Sequence, residues 1–363
     1  MMASLRDKIG QMLIIGFNGY EVNKDVDLIK IINANNIGGV ILFDYDYENK
    51  IFGKNIKNPA QVHHLNTKLQ HFNFLANLIH YRPLLPLFIA VDYEGGKVNR
   101  LKKEYGFDDV MSASALAQMD TVTIEQKCLK MAATLQQARF NLNFAPVIDL
   151  KINNTNTIIG KLNRSFSASA AEVARIAKIF VRSFLASGIC CVYKHFPGLG
   201  SAQSDPHLEF VDVSNIWNRE ELKPYEYLLS GGDNRSVMIM TAHIVNRQLD
   251  ATGLPATFSP QIIKILREQL KFNGVIVTDD LQMQAITTNY TLAETLKLAI
   301  NAGVDQLLFG NQLAKINAEQ IVDIIEQHVI TGQVQEQRVN EAYQRIVALK
   351  THMYIKNTSS HSE

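Results

Sequence analysis

Eight short apolar runs punctuate this chain: Met12–Phe17, Gly39–Phe43, Leu87–Val91, Leu142–Val147, Ile189–Tyr193, Val237–Met240, Gly274–Val277 and Gln306–Phe309. Runs of that length and composition predict strands buried on both faces. Between them the apolar positions switch to a spacing of three and four. Val62, Leu65, Leu69 and Phe72 form one such stripe, and Val173, Ile176, Phe180 and Phe184 form another. That spacing predicts helices with one buried face. Two further helices are expected, one over Ala318–His328 and a last one from about Arg338 to Lys350.

Eight strands alternating with helices predict an α/β chain folded as a (β/α)8 TIM barrel, a single domain over residues 1–352 with a polar tail over 353–363. A doubly wound open sheet is the competing architecture, weakened because no Gly-x-Gly-x-x-Gly opens the first helix. The polar side chains favour the barrel as well. Asp92 follows strand three, Asp149 strand four, Lys194 and His195 strand five, Thr241 and His243 strand six, and Asp279 and Asp280 strand seven. A barrel gathers all those ends around one mouth, whereas an open sheet spreads them along a crevice.

Composition narrows the function. With 20% charged residues and a formal net charge of +1 over 363 residues, the chain has no basic surplus to serve nucleic acid or an anionic membrane. Cys128, Cys190 and Cys191 fit neither a disulfide framework nor a zinc site and read as core residues. The first apolar run is too short for a signal peptide or a membrane span, so a cytoplasmic location is expected. No phosphate-binding loop or cofactor motif is visible. Strand one ends Gly16-Phe17-Asn18-Gly19, without the His-X-His pair of metal-dependent barrel hydrolases, so neither a metal nor a cofactor is expected.

The densest chemistry lies between Lys194 and His207, where a strand empties into a Pro/Gly loop and ends in Asp205-Pro206-His207. An aspartate two residues before a histidine can set its tautomer and stabilise its charge, which suits acid/base work; a surface turn containing proline is the plainer reading. Gly198 and Gly200 suggest a mobile loop. Asp279 and Asp280 are either helix-capping aspartates or, for one of them, a nucleophile fixed at a strand end. Lys194 and His195 can clamp an anion or hydroxyls, or can be a snorkelling lysine and a satisfied core histidine. His243 reads equally as structural. Asp92 precedes a Gly-Gly turn, where both carboxylate oxygens can take a pair of sugar hydroxyls. Arg100 and Arg164 can hold charged or hydroxylated groups, or lie solvated on the surface.

Several stretches together resemble one family. They include Ile37 to Phe43, Val91-Asp92-Tyr93-Glu94-Gly95-Gly96, Leu142 to Asp149, Arg164-Ser165-Phe166, Lys194-His195-Phe196-Pro197-Gly198, Met240-Thr241-Ala242-His243, Pro255 to Pro260, Val277 to Leu281 and Asn301-Ala302-Gly303-Val304-Asp305. In this order they resemble glycoside hydrolase family 3, in particular its bacterial β-N-acetylglucosaminidase branch of murein recycling. The resemblance implies a retaining exo-glycosidase acting on terminal β-linked N-acetylglucosamine. It implies Asp279 as nucleophile, His207 paired with Asp205 as acid/base, and Asp92, Arg100, Arg164, Lys194, His195 and His243 around the non-reducing sugar. Family 3 β-glucosidases usually add a second domain with a glutamate acid/base. This chain leaves no room for one after its last helix, which points to the Asp-X-His branch. A neutral imidazole also repels an anionic acceptor less than a carboxylate does, so phosphorolysis beside hydrolysis stays open.

Three departures from the family pattern stand out. The usual Pro-Gly-His-Gly-Asp-Thr reads Pro197-Gly198-Leu199-Gly200-Ser201-Ala202, and the usual Gly-Gly-Arg reads Gly95-Gly96-Lys97. The segment from Asp44 to Lys57 is longer and more aromatic than expected, with Tyr45, Tyr47 and Phe52, and can line the leaving-group side. A β-glucosidase of the same fold and a non-catalytic sugar-binding homologue are the competing functions.

Overall fold

Each of the eight apolar runs forms a strand, and every residue in those strands is buried. They are β1 (Leu13–Gly16), β2 (Gly39–Ile41), β3 (Phe88–Val91), β4 (Leu142–Asn143), β5 (Cys190–Phe196), β6 (Val237–Thr241), β7 (Val275–Thr278) and β8 (Leu307–Phe309). The computed structural model describes residues 3–22, 27–153, 158–203, 211–231 and 234–359. Neighbouring strands pair in parallel in the order β7-β6-β5-β4-β3-β2-β1-β8. The two ends of that sheet then meet. Gln306 donates to the carbonyl of Ile276 at 3.0 Å, and Thr278 donates to the carbonyl of Gln306 at 3.0 Å. The chain is therefore a single-domain α/β barrel that is nearly closed, and its continuous apolar strands follow from burial on both sides.

The connections are helical: α1 (Leu5–Gln11) before the first strand, then α2 (Asp27–Asn35), α3 (Pro59–Ile79), α4 (Thr121–Gln137), α5 (Ala170–Ala186), α6 (Lys223–Leu229), α7 (Pro260–Lys264), α8 (Leu292–Ala302), α9 (Ala318–Ile330) and α10 (Glu336–Ser359). In α5, Val173, Ile176, Ala177, Phe180 and Phe184 are buried on one stripe. Side-chain caps start several helices: Asn58 on α3, Asp120 on α4, and a Thr291/Glu294 capping box on α8. The last helix does not stop near Lys350 as its pattern suggested but runs to Ser359, with Met353 still buried. The three cysteines are free and buried.

The two ends of the barrel differ. At the N-terminal ends of the strands, Lys350 from α10 reaches inward and is wholly buried. Its Nζ donates to Gln11 Oε1 at 2.8 Å and to the Gly38 carbonyl at 2.7 Å, 4.6 Å from the centroid of the Phe88 ring. At the C-terminal ends lie longer connections. Two of them fold into small antiparallel ribbons, Tyr45–Asp46 with Ile51–Phe52 after β2 and Tyr93–Gly95 with Val98–Asn99 after β3. Among the described residues, no helix is long and apolar enough to cross a membrane.

Candidate active site

The mouth of the barrel holds a cavity of about 500 Å3. Strand ends supply its polar floor: Asp92 and Glu94 after β3, Lys194 and His195 from β5, Asp279 after β7, with Arg164 and Arg100 from neighbouring loops. Its walls are apolar, including Phe43, Phe144, Met240 and Leu308, with Tyr47 on one side and Leu313 on another. Polar groups converging on an otherwise apolar hollow are the usual make-up of a small-ligand site.

Alternation sets the first carboxylates. Asp92 and Glu94 are two residues apart and share a side, while Tyr93 between them packs into the core. Glu94 is buried and holds Arg164 through two hydrogen bonds of 2.8 Å. It also meets Lys194 Nζ at 2.7 Å. Lys194 reaches Asp92 Oδ1 at 3.2 Å, and Arg100 reaches Asp92 Oδ2 at 3.4 Å. Opposite charges thus alternate across the floor, each partly neutralised by the next. Burial alone would raise the Glu94 carboxyl, but Arg164 and Lys194 outweigh it and hold it at about 2. Burial likewise disfavours the charge on Lys194, and Glu94 with Asp92 raises its pKa in spite of that. Arg164 is raised for the same reason, its burial outweighed by Glu94.

His195 is oriented by Asp149. The carboxylate Oδ2 lies 2.7 Å from Nδ1, and Asp149 also accepts the backbone N–H groups of His195 at 3.2 Å and Leu199 at 2.9 Å. A carboxylate only accepts, so Nδ1 carries the hydrogen, which turns Nε2 toward Arg164 at 3.5 Å. His243 is not part of the cavity lining. Its Nε2 lies 3.0 Å from the Asp280 carbonyl and its Nδ1 2.8 Å from the Thr257 hydroxyl, so it braces the loop that carries the two aspartates. Those aspartates divide. Asp280 Oδ1 accepts the N–H groups of Gln282 at 3.0 Å and Gly310 at 3.2 Å, which shapes the turn. Asp279 Oδ1 accepts the Asp280 N–H at 2.8 Å, and both carboxylates line the cavity.

The loop after β5 is pinned rather than loose where it leaves the strand. Gly198 has φ +116° and a Cβ there would come within 2.5 Å of Glu221 Cβ; a Cβ on Gly200 would come within 2.1 Å of the Leu150 carbonyl oxygen. Both glycines therefore answer close approach, not only the mobility the sequence suggested. Glu221 Oε2 accepts the N–H of Gly200 at 2.7 Å and of Ser201 at 3.3 Å. Burial pushes the Glu221 carboxyl up to about 7. Asp205 and His207 lie outside the described residues. Among the described residues, no group of three or more His, Cys, Asp or Glu side chains is placed to hold a metal ion.

Comparison with known proteins bears on this geometry. The sequence profile of the Glycosyl hydrolase family 3 N terminal domain matches residues 4–349. The chain belongs to glycosyl hydrolase family 3. Relatives in this family of glycoside hydrolases include a beta-hexosaminidase of Idiomarina loihiensis, 34% identical over 66% of this chain and 71% of that protein. Another beta-hexosaminidase, from Tolumonas auensis, is 32% identical over 83% of both chains. A family 3 beta-N-acetylglucosaminidase from Paenibacillus sp. str. FPU-7 superposes with a TM-score of 0.85 at 31% identity, covering 98% of this chain and 63% of that one. This chain thus spans less than two thirds of that structure's length.

Sequence reasoning singled out Asp92, Arg100, Arg164, Lys194, His195 and Asp279, and the family 3 fold brings all six to one cavity. It noted Asp149 only as a carboxylate after strand four and gave Glu94 no role, although Glu94 holds Arg164 and Asp149 orients His195. The signal for Glu94 was present as period-two alternation after β3. Asp149 gave a weaker one, as a carboxylate just beyond β4. Thr257, which holds His243, had no local mark in the chain.

Proposed function

We propose that this chain is a retaining β-N-acetylglucosaminidase that removes terminal β-linked N-acetylglucosamine. The observation that carries the reading is the placement of Asp279 at the end of β7, open to a cavity floored by the Asp92–Lys194–Glu94–Arg164 charge network. The beta-hexosaminidase and beta-N-acetylglucosaminidase relatives in family 3 support the same substrate class.

In this reading Asp92, Lys194, Arg164 and Arg100 hold the hydroxyl and amide groups of the terminal sugar, while the apolar walls receive its carbon faces. An Asp279 carboxylate oxygen attacks C1 as the C1–oxygen bond to the leaving group breaks. His207 gives its proton to that oxygen, with Asp205 stabilising the imidazolium. The neutral His207 then takes a proton from water, whose oxygen attacks C1 and releases Asp279. The roles of Asp205 and His207 rest on sequence alone. His195 and His243 act as positioning residues for Arg164 and the Asp279 turn.

The test is turnover of an aryl β-N-acetylglucosaminide beside the matching β-glucoside. Wild type is expected to turn over the first alone, and Asp279→Ala to lose on the order of 10⁴-fold or more in kcat. His207→Ala is expected to fall strongly and to lose the corresponding limb of the pH profile. Turnover of the glucoside instead would overturn the substrate, and full activity in Asp279→Ala would overturn the mechanism.

A further inference from the structure

The ribbon after β2 carries aromatic side chains that the proposed chemistry at Asp279 does not use. Tyr47 lines the cavity that holds Asp279, and its ring lies 4.9 Å from Tyr45 in an edge contact. Tyr45 meets Phe52 at 5.0 Å across the ribbon, and Phe52 meets Tyr105 at 6.5 Å. The rings therefore form one strip that begins at the cavity and leads outward. Tyr47 is 55% exposed and Phe52 60% exposed, so the strip presents its rings to solvent rather than to the core.

The strip is built in place. Asp44 is buried at its base and takes Lys102 Nζ at 2.6 Å and the Tyr105 hydroxyl at 3.4 Å. Asp46 accepts the N–H groups of Glu48 at 3.0 Å and Asn49 at 3.1 Å and closes the turn. At the tip Glu48 pairs with Lys315, beyond β8, at 2.8 Å. Exposed aromatic rings fixed in this way lose little freedom when a ligand covers them.

We propose that Tyr47 and Phe52 form the leaving-group subsite and that it takes the second and third pyranose rings of a β-linked oligosaccharide. This rests on the glycosidase reading of the cavity. The C–H groups on a pyranose face are weakly positive and match the negative face of an aromatic ring. Tyr47 at the cavity and Phe52 beyond Tyr45 offer two exposed ring faces in succession. Lys102, 4.9 Å over Phe52, is paired with Asp44, and Lys315 with Glu48, while Lys50 in the turn itself is exposed. The strip offers exposed aromatic stacking surface at the edge of the cavity.

The experiment compares Phe52→Ala and Tyr47→Ala with wild type on two substrates. One is the β-linked N-acetylglucosamine trisaccharide. The other is N-acetylglucosaminyl fluoride, whose leaving group cannot reach the strip. Each substitution is expected to lower kcat/KM for the trisaccharide about tenfold, with Tyr47→Phe restoring the trisaccharide rate, and Phe52→Ala, outside the cavity lining, is expected to leave the fluoride within about twofold. Unchanged trisaccharide kinetics, or equal losses on both substrates in Phe52→Ala, overturns the subsite. Wild type inert toward both substrates would instead count against the glycosidase reading. Calorimetric titration with the trisaccharide then decides the subsite separately: binding weakened by Phe52→Ala supports it, and binding unaffected by Phe52→Ala overturns it.

Discussion

Lys194 and Lys350 are two buried lysines at opposite ends of one barrel. Lys194 stands at the mouth between Asp92 and Glu94, and those carboxylates raise its pKa despite burial. Lys350 stands at the floor, where its partners are an amide oxygen, a backbone carbonyl and the face of Phe88, and burial drives its pKa well down. The first arrangement keeps a charge ready beside open space. The second satisfies polar atoms where strands, α1 and α10 meet, with no opening to a ligand. In a barrel, polar groups at the C-terminal mouth serve chemistry and those at the N-terminal floor serve stability, and the two lysines show what each requires of its neighbours.

The largest effect that would test this contrast is at the mouth. Lys194→Met is expected to lower kcat/KM toward an aryl β-N-acetylglucosaminide on the order of 10²–10³-fold, as for loss of one preorganised donor. Near wild-type kinetics in that variant would remove Lys194 from the site. The floor should answer in a different observable. Lys350→Ala leaves a void, strips Gln11 Oε1 of its Lys350 donor and leaves the Gly38 carbonyl with the Phe88 N–H alone, so unfolding should ease by about 2 kcal/mol. Its kcat/KM should stay within about twofold, and a large kinetic loss at unchanged thermal midpoint would erase the distinction.

The smallest effect sharpens the contrast by pH. Glu221 holds the mouth loop, and its carboxyl is raised to about 7 by burial. A carboxyl raised in the fold favours the protonated folded chain. Its stabilising contribution is complete below the free value of about 4.3 and is lost as pH rises through about 7. Between pH 5 and 8 the wild type should therefore lose stability relative to Glu221→Gln, on the order of 1 kcal/mol. Parallel thermal midpoints across that range would sink the assignment. Lys350 has the opposite sign and a different window. Its lowered pKa makes its contribution complete above about 10.4 and diminishing as pH falls toward the depressed folded value.

Much of this was legible in the chain before any coordinates. Strands buried on both faces announce themselves as unbroken apolar runs, which is why all eight were found. Asp92, Lys194, His195 and Asp279 were found because each lies at the end of such a run, whereas Arg100 and Arg164 lie in connections and were assigned to the sugar by the family resemblance. Lys350 was not, because a lysine near the end of an amphipathic helix reads like any solvated one; only the packing of α10 on α1 turns it inward. The ribbon after β2 escaped as a ribbon because two-residue strands leave too little alternation to register, although its tyrosines were conspicuous. Glu221 lies far along the chain from the glycines it holds, so no local pattern could link them.

The aromatic ribbon is held by Asp44 at its base and by the Glu48–Lys315 pair at its tip, outside the barrel strands. It can therefore be lengthened, trimmed or exchanged without rebuilding a strand, provided Asp44, which also meets Arg100 at 3.8 Å, is kept. If the ribbon holds the leaving group, diet and reaction become separable traits: a change in this short segment would alter which glycans are accepted and leave the bond-breaking apparatus intact.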